Sequence, residues 1–357
     1  MVSNIFWMKC AKRGVIIEMF ALEDVLRSCI SALAVFVMTV VCGRFLLPRI
    51  RERSHGQQVR DEGPKTHLEK SGTPTFGGLF FLIPLVLFAI VMLFVLDEAR
   101  DVCVIVLFMV LFGSVGFVDD YIKVHISKEG LSVRQKTVFL AAVSIAASVY
   151  TVWFSDSGSL FLLPFATRII PITGTWKILY TVFITLFIFY ISNSVNITDG
   201  LDGLLSSLMA VAMIGLFFSF GLLTDVLKGA PGLMTLSLAI FGGVLGFLIF
   251  NRYPAQVFMG DTGSLALGAG FALMTCLSGM PWIVLLNGAV FVAEGMSVLI
   301  QVTYFKATKG KRIFKMAPLH HHFEYMGWHE TKVVRSFVLV GVVGALTGVL
   351  FTTGHFL

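Results

Sequence analysis

Long apolar runs recur along almost the whole chain, and short polar segments separate them. Ten of these runs predict helices, since about 20 apolar residues cross a bilayer. The third, fourth and eighth runs are near the short limit for a span. The runs do not alternate as membrane β-barrel strands do. The pattern predicts an all-α, polytopic membrane helical bundle of about ten transmembrane helices, near 25–47, 75–96, 102–118, 137–154, 176–197, 203–223, 232–251, 263–280, 282–305 and 333–353.

Composition leads to the same class of protein. Of the 357 residues, 57% are hydrophobic and 13% are charged, and the mean hydropathy is +0.88. A soluble domain carries about 25% charged residues, so this chain has too little charge to cover a soluble exterior. The five cysteines are odd in number and form no CxxC, which argues against a disulfide framework or a zinc site. The net charge of +6 predicts contact with anionic membrane lipid rather than nucleic acid.

The distribution of Lys and Arg predicts how the bundle is oriented. Seventeen lie in the connections after helices one, three, seven and nine, and four lie after helices two, four, six and eight. The positive-inside rule places the first set in the cytoplasm and both termini outside. Residues 1–18 form an N-terminal extension of unknown role, and 19–357 form a single integral-membrane domain. Its predicted cytoplasmic active-site loops lie near 49–74, 119–136, 193–203, 251–264 and 306–332.

Polar residues cluster on the predicted cytoplasmic side, where two carboxylate-rich segments stand out. Asp119 and Asp120 end the third helix in GFVDDYIK, and such a pair suits a divalent cation or a proton transfer. Helix-end charges that simply meet water are the alternative for this pair. In ISNSVNITDGLDG, the three-residue spacing places four polar residues on one helix face, which predicts a site: Asn193, Asn196, Asp199 and Asp202.

Two further segments precede apolar helices. Asp261 opens the eighth helix, where free N–H groups favour an anion, although an ordinary helix cap explains it equally well. The stretch from Lys70 to Thr75 contains the Gly, Thr and Lys residues of a phosphate-binding loop, but not the spacing of a P-loop. A flexible connection before a Pro-started helix is the alternative there.

The connection between the last two helices contains three consecutive histidines, His320, His321 and His322. Their spacing does not suit zinc, and imidazole groups that donate to phosphate fit better. Glu294 lies in the middle of the ninth run, with Gln301 seven residues later on the same face. A carboxylate at membrane depth is either functional or a buried hydrogen-bonding residue, and the sequence leaves both open for Glu294.

Together these residues predict a site of carboxylates, histidines and basic groups at the boundary between membrane and cytoplasm. Oxygen ligands favour Mg²⁺ over zinc, and the basic loops favour a phosphorylated substrate. Phosphoryl transfer is the chemistry that such a site suits, because positioning and charge neutralisation supply most of its catalysis.

Five segments then resemble the signature segments of one enzyme family. DEGPKTHLEKSGTPTFGG, GFVDDYIK, NSVNITDGLDGL, NRYPAQVFMGDTGSLALG and PLHHHFE are similar, in this order, to those of the bacterial phospho-N-acetylmuramoyl-pentapeptide transferases. PLHHHFE separates that family from sister polyprenyl-phosphate sugar-phosphate transferases. Phe76 and Ile197 depart from the usual Met and Leu, and neither alters a proposed chemical group.

The resemblance implies a reaction and its participants. UDP-N-acetylmuramoyl-pentapeptide and undecaprenyl phosphate would give lipid I and UMP with Mg²⁺, at the cytoplasmic face of a bacterial inner membrane. A homodimer is expected from the resemblance alone.

The resemblance also implies roles for individual residues. Asp261 would bind Mg²⁺, with Asp119 and Asp120 beside it, one of them accepting a proton from the lipid phosphate or orienting it. Other residues would shape the nucleotide pocket or contact substrate: Asn193, Asn196, Asp199, Asp202, Asn251, Phe258, Thr75 and Gln301. Basic groups would neutralise phosphates or position the sugar: Lys70, Lys136 and His320 to His322.

The mechanism and the identity of the nucleotide substrate stay open. Direct attack by the lipid phosphate and a covalent phosphosugar intermediate on an Asp both fit the sequence. A sister transferase acting on UDP-N-acetylglucosamine is the nearest alternative enzyme. A transporter would place its polar residues at the membrane midplane between repeats, which this chain does not do.

Overall fold

A computed structural model describes residues 21–53, 72–96, 99–127, 129–164 and 169–353, and the side chain of Arg53 is not described. Lys70 and the predicted extension 1–18 lie outside these residues. In chain order the helices are α1 Leu22–Arg53, α2 Leu79–Val95, α3 Arg100–His125, α4 Val133–Val149, α5 Trp176–Thr198, α6 Leu204–Gly221, α7 Ala230–Asn251, α8 Gly260–Leu277, α9 Val284–Asn287, α10 Ala289–Ala307, α11 Leu319–Tyr325 and α12 Glu330–Thr353.

The remaining regular elements are short. A π-helical turn, Tyr150–Phe154, continues α4, and a 3₁₀ turn, Pro281–Ile283, precedes α9. Two antiparallel strands, β1 Leu160–Leu162 and β2 Ile169–Pro171, pair with Phe161 opposite Ile170. Each predicted apolar run lies mainly on helix, and the ninth is interrupted near Gly288.

The predicted all-α membrane bundle is confirmed. Within the described residues, eight helices are long and apolar enough to cross a membrane, and α2 is a shorter apolar helix. The number of spans and the sides on which the termini lie stay predictions.

The core of the bundle lies around α6, α7 and α8. Every residue of α8 from Thr262 to Leu277 is buried, and α3 and α5 both pack against it. The outer helices α1 and α12 present one exposed apolar face, as expected for helices that meet lipid. The first turn of α8 therefore lies between α3 and α5.

A glycine allows α3 to approach α8 very closely. A Cβ at Gly116 would lie 2.1 Å from the carbonyl oxygen of Asp261, which no larger residue could accept without moving the backbone. One turn after Gly116, the same face of α3 carries Asp120. This contact brings Asp119 and Asp120 to the N-terminus of α8. The prediction that they end the third helix is wrong, because α3 continues to His125 and both carboxylates are buried within it.

Candidate active site

Asp120 caps α8 from a neighbouring helix. Its Oδ1 accepts a hydrogen bond from the backbone N–H of Asp261 at 3.1 Å, and its Oδ2 accepts from the N–H and hydroxyl of Thr262 at 2.9 and 2.7 Å. The residue is buried. A carboxylate at this position accepts hydrogen bonds from N–H groups that the helix leaves unpaired. It also lies at the positive end of the helix dipole, which stabilises its negative charge. Asp120 therefore fixes the position of Asp261.

Asp119 points to a different set of partners. Its Oδ1 accepts from the backbone N–H of Leu131 at 2.7 Å, and its Oδ2 lies 2.6 Å from Nζ of Lys123 and 3.5 Å from Nζ of Lys136. The two adjacent carboxylates thus have separate tasks, one holding α8 and the other holding the start of α4. The structure brings Asp119, Asp120 and Asp261 together at the start of α8, and their parts in catalysis stay predictions.

Asp261 completes a cluster to which four helices contribute. Its Oδ2 lies 2.9 Å from Nζ of Lys123 and 2.5 Å from Nζ of Lys136, and its Oδ1 accepts from Nδ2 of Asn196 at 2.8 Å. We call Asp119, Lys123, Lys136, Asn196 and Asp261 the carboxylate–lysine cluster. The Asp261 side chain is 16% exposed, against 2% for Asp119. Asp261 is therefore the more accessible of the two carboxylates to an incoming ligand.

Lys123 is a member of this cluster that the sequence analysis did not select. It lies four residues after Asp119 on α3, a spacing that places opposite charges side by side on a helix. That spacing is the sequence signal that could have identified it. Lys136 was predicted, and it reaches the cluster from α4.

The predicted single helix face formed by residues 193 to 202 is wrong, because α5 ends at Thr198. The chain turns at Asp199, and Gly203 takes a positive φ of 74°. Only Asn193 and Asn196 of the four lie on the helix. Asn193 donates to the carbonyl of Phe189 in its own helix, whereas Asn196 reaches Asp261 and Ser264.

Asp199 lies next to the cluster without an ion-pair partner of its own in the described contacts. Removal of its carboxyl from water, and the negative charge of Asp261, Asp120 and Asp202, raise its pKa to about 8. A hydrogen bond from the backbone N–H of Gly260 works in the opposite direction. Asp199 therefore differs from Asp261, whose charge two lysines balance.

Asp202 and Asn251 hold the loop between α7 and α8. Oδ2 of Asp202 accepts from the N–H of Ala255 at 2.9 Å. Oδ1 of Asn251 accepts from the N–H of Gly203 and the hydroxyl of Ser206, each at 3.2 Å, and its Nδ2 donates to the carbonyl of Val257. Both residues are buried. Their observed contacts are supports for the loop, and their predicted part in nucleotide binding stays a prediction.

Thr75 and Phe258 lie on segments that pair with each other. The N–H of Phe258 donates to the carbonyl of Pro74 at 2.8 Å, and the N–H of Gly77 donates to the carbonyl of Phe258 at 3.0 Å. The hydroxyl of Thr75 is buried beside Gly260 and has no hydrogen-bond partner among the described residues. This end of the site is therefore built from the polar segment before α2 as well as from α8.

The histidine segment begins α11, and Glu294 of α10 caps it. Oε2 of Glu294 accepts from the N–H of Leu319 at 2.8 Å, and Oε1 accepts from the N–H of His320 at 3.1 Å and lies 3.2 Å from its Nδ1. The side chains of Glu294 and His320 are at most 1% exposed. Of the two alternatives for Glu294, the structure shows the buried hydrogen-bonding residue.

The three histidine rings have three different surroundings. His320 packs against Gly200, and its buried Nε2 has no hydrogen-bond partner in the described part of the chain. Nδ1 of His321 lies 2.8 Å from Oε2 of Glu324, and Nδ1 of His322 accepts from the N–H of Lys315. The predicted catalytic part of these rings is untested, but His320 as it stands is closed off from solvent.

Gln301 supports the chain before α11, because both the oxygen and the nitrogen of its side-chain amide form hydrogen bonds there. Its Oε1 accepts from the N–H groups of Ile313 and Phe314, each at 3.1 Å, and its Nε2 donates to the carbonyl of Phe314 at 3.0 Å. Its predicted substrate contact stays a prediction.

Comparison with known proteins connects this geometry with a family. A model described as glycosyl transferase family 4 matches residues 102–279, which contain the whole carboxylate–lysine cluster. A protein of Listeria welshimeri is 42% identical over 88% of this chain and 94% of its own, and one of Staphylococcus carnosus is 42% identical over 89% and 97%. A protein of Clostridioides difficile is 40% identical over 90% and 96%. All three relatives are named phospho-N-acetylmuramoyl-pentapeptide-transferase.

Proposed function

The chain belongs to the phospho-N-acetylmuramoyl-pentapeptide transferase family, and from that membership we propose that it transfers phospho-N-acetylmuramoyl-pentapeptide from UDP to undecaprenyl phosphate. The products are lipid I and UMP. The observation that carries the proposal is the carboxylate–lysine cluster, in which the ammonium groups of Lys123 and Lys136 both contact Asp261. Positioned cations are what phosphoryl transfer requires, because charge spreads over the phosphate oxygens in the transition state.

The two lysines are suited to exchange partners. Each ammonium group is held by a carboxylate here, and the side chains of Lys123 and Lys136 are 17% and 21% exposed. A pyrophosphate that entered the cluster would offer oxygens of the same charge and hydrogen-bonding type as the carboxylates. We propose that the lysines then neutralise the phosphates while Asn196 keeps Asp261 in place.

Mg²⁺ is the proposed cofactor, and the donor set fits it. Among the described residues there is no group of three or more His, Cys, Asp or Glu arranged to hold a metal. Mg²⁺ does not need one, because it is commonly held by one or two carboxylates together with substrate phosphates and water. When bound, it would neutralise charge on the pyrophosphate and on the departing UMP.

Asp261 and Asp119 would hold the ion. Asp120 was predicted as a third ligand, but both of its oxygens already accept hydrogen bonds from the first turn of α8. We therefore assign Asp120 the task of positioning Asp261.

Asp119 is proposed to orient the lipid phosphate or to accept its proton. Lys123 and the N–H of Leu131 hold its carboxylate in place. Direct attack by the lipid phosphate and a covalent phosphosugar intermediate on an Asp are both compatible with this arrangement. Incubation with substrate labelled in the sugar, without the lipid, separates them, because only the covalent route leaves label on the protein.

The proposed location is the cytoplasmic face of a bacterial inner membrane. The excess of Lys and Arg in the connections at this end of the bundle supports that orientation. A water-soluble nucleotide and a lipid phosphate can meet only where the membrane borders the cytoplasm. A homodimer is proposed on the family resemblance.

Release of UMP by the purified protein with undecaprenyl phosphate tests the proposal. UDP-N-acetylmuramoyl-pentapeptide and UDP-N-acetylglucosamine are compared, each with Mg²⁺ or with EDTA. We expect UMP from the first nucleotide alone, and only with Mg²⁺. UMP from the second alone would assign the chain to a sister activity, and equal rates with EDTA would remove Mg²⁺ from the mechanism.

A further inference from the structure

The last turn of α10 and the segment after it carry five cations within ten residues: Lys306, Lys309, Lys311, Arg312 and Lys315. We call residues 306–315 the cationic turn. We propose that the cationic turn binds the phosphate groups of anionic phospholipids in the surrounding membrane. This binding would require neither of the substrates of the proposed transfer reaction.

Among the described residues, no carboxylate balances the charge of the cationic turn. All five cationic residues are exposed, and no carboxylate of the described chain lies within ion-pair distance of them. The acidic residues nearest in sequence have other partners. Glu294 caps α11, Glu324 contacts His321, and Glu330 accepts from the N–H of Asp202. The described residues therefore leave the positive charge of the cationic turn open to an anionic ligand.

Hydrogen bonds fix the backbone of the cationic turn. The N–H of Gly310 donates to the carbonyl of Phe305 at 2.9 Å, and Lys309 takes a φ of 54°, so the helix ends in a tight reversal. The amide of Gln301 then holds residues 313 and 314, and His322 accepts from the N–H of Lys315. A backbone that is already ordered loses less entropy when it binds an anion.

Large apolar side chains lie among and next to the cations. Tyr304, Phe305 and Ile313 are 38%, 42% and 49% exposed, and the guanidinium carbon of Arg312 lies 5.9 Å from the centre of the Phe305 ring. The cationic turn begins in the last turn of α10, a helix long enough to span the membrane. Basic and aromatic residues mixed at the end of a span are typical of a segment at the headgroup level, where cations reach phosphates and apolar groups enter the acyl region. A water-soluble nucleotide would not need the exposed apolar groups, which favours lipid as the partner.

Lipid titration of the full chain in detergent tests the proposal, with bound lipids counted by native mass spectrometry and no substrate present. We expect tighter binding of phosphatidylglycerol than of phosphatidylcholine, with an advantage that falls as salt rises. Lys309→Gln combined with Lys311→Gln should weaken phosphatidylglycerol binding at least about fivefold, since each cation near a membrane surface contributes about this factor. Phosphatidylcholine binding should not change.

The matched control removes two cations from the opposite side of the predicted bundle, with Lys177→Gln and Lys228→Gln, and should bind both lipids like the unmodified chain. Equal affinity of the unmodified chain for the two lipids would overturn the proposal. So would an unchanged phosphatidylglycerol affinity in the Lys309/Lys311 variant. If that variant instead raised only the KM for the nucleotide substrate, the cationic turn would belong to substrate recognition. Because substrates are absent from the titration, its result does not depend on whether the transfer reaction occurs.

Discussion

Asp261 in the carboxylate–lysine cluster and Glu294 beside the histidine segment are both carboxylates near the same end of the bundle, but they have different partners. Asp261 faces the ends of two flexible lysine side chains and remains partly exposed. Glu294 is completely buried and uses both oxygens on the backbone and ring of α11. Lysines can move to a phosphate, whereas the N–H groups of a helix cannot.

This difference separates a site that can react from one that supports it. A pyrophosphate that arrives with its cation could replace the Asp261–lysine contacts without leaving a charge unpaired, because its oxygens would pair with the lysines and the cation with Asp261. Replacing the contacts of Glu294 would leave buried donors without acceptors, at a cost of about 1–3 kcal/mol for each. Substitutions at these carboxylates and at their neighbours can break this distinction, and those at Asp261 and Asp119 should have the largest effect.

Asp261→Asn should lower turnover by at least about a thousandfold while the fold stays intact, because the charge that the lysines and the ion share is lost. Asp119→Asn should likewise abolish turnover. UMP release and thermal unfolding in detergent measure the two properties separately. Asp156→Asn, at an exposed carboxylate outside the cluster, is the control and should behave like the unmodified chain. Full activity in Asp119→Asn would remove that residue from the mechanism.

Asp120→Asn should reduce both stability and turnover. An amide at this position places N–H groups opposite the N–H of Thr262, so α8 loses part of its cap at a cost of about 1–3 kcal/mol. Thermal unfolding should therefore shift for Asp120→Asn but not for Asp119→Asn. A stable Asp120→Asn protein without turnover would show that Asp120 acts on substrate or metal directly.

Glu294→Ala should destabilise the protein more than Glu294→Gln, because glutamine keeps one oxygen that can accept from α11. We expect Glu294→Gln to retain turnover within about tenfold, the factor that corresponds to one lost hydrogen bond. Unfolding temperature and UMP release are measured for both variants. A Glu294→Gln protein as inactive as Asp261→Asn, but normally stable, would contradict the distinction drawn above.

Asn196→Ala and Asn193→Ala should give the smallest effects, and unequal ones. Asn196 orients Asp261, so its loss should lower turnover about tenfold, whereas Asn193 bonds only to its own helix among the described contacts and should change turnover less than about threefold. The two variants are compared at saturating substrate. An equal loss in both would place Asn193 in the substrate pocket, as the sequence analysis predicted.

The sequence alone could predict which segments meet, because polar residues at helix ends are few in such an apolar chain and collect on one side of the bundle. It could not predict the partner of each side chain. Asp119 and Asp120 are adjacent in sequence, yet a rotation of about 100° per residue around α3 sends one to the lysines and the other to α8. The predicted helix face from Asn193 to Asp202 is wrong because the three-residue spacing of its polar residues continues past Thr198, where the helix ends. Such spacing does not show where a helix stops.

Local information was enough to predict the all-α membrane class and to recognise the family resemblance, because apolar run lengths and signature motifs consist of consecutive residues. It also predicted that the polar residues cluster on the cytoplasmic side. The division of labour among the carboxylates came only from the tertiary structure. Close approach at Gly116 brings α8 to α3, so Asp120 becomes a cap and Asp261 faces two lysines. Packing of α11 against α10 separately encloses Glu294. These roles depend on distances between residues far apart in the chain, which no local pattern encodes.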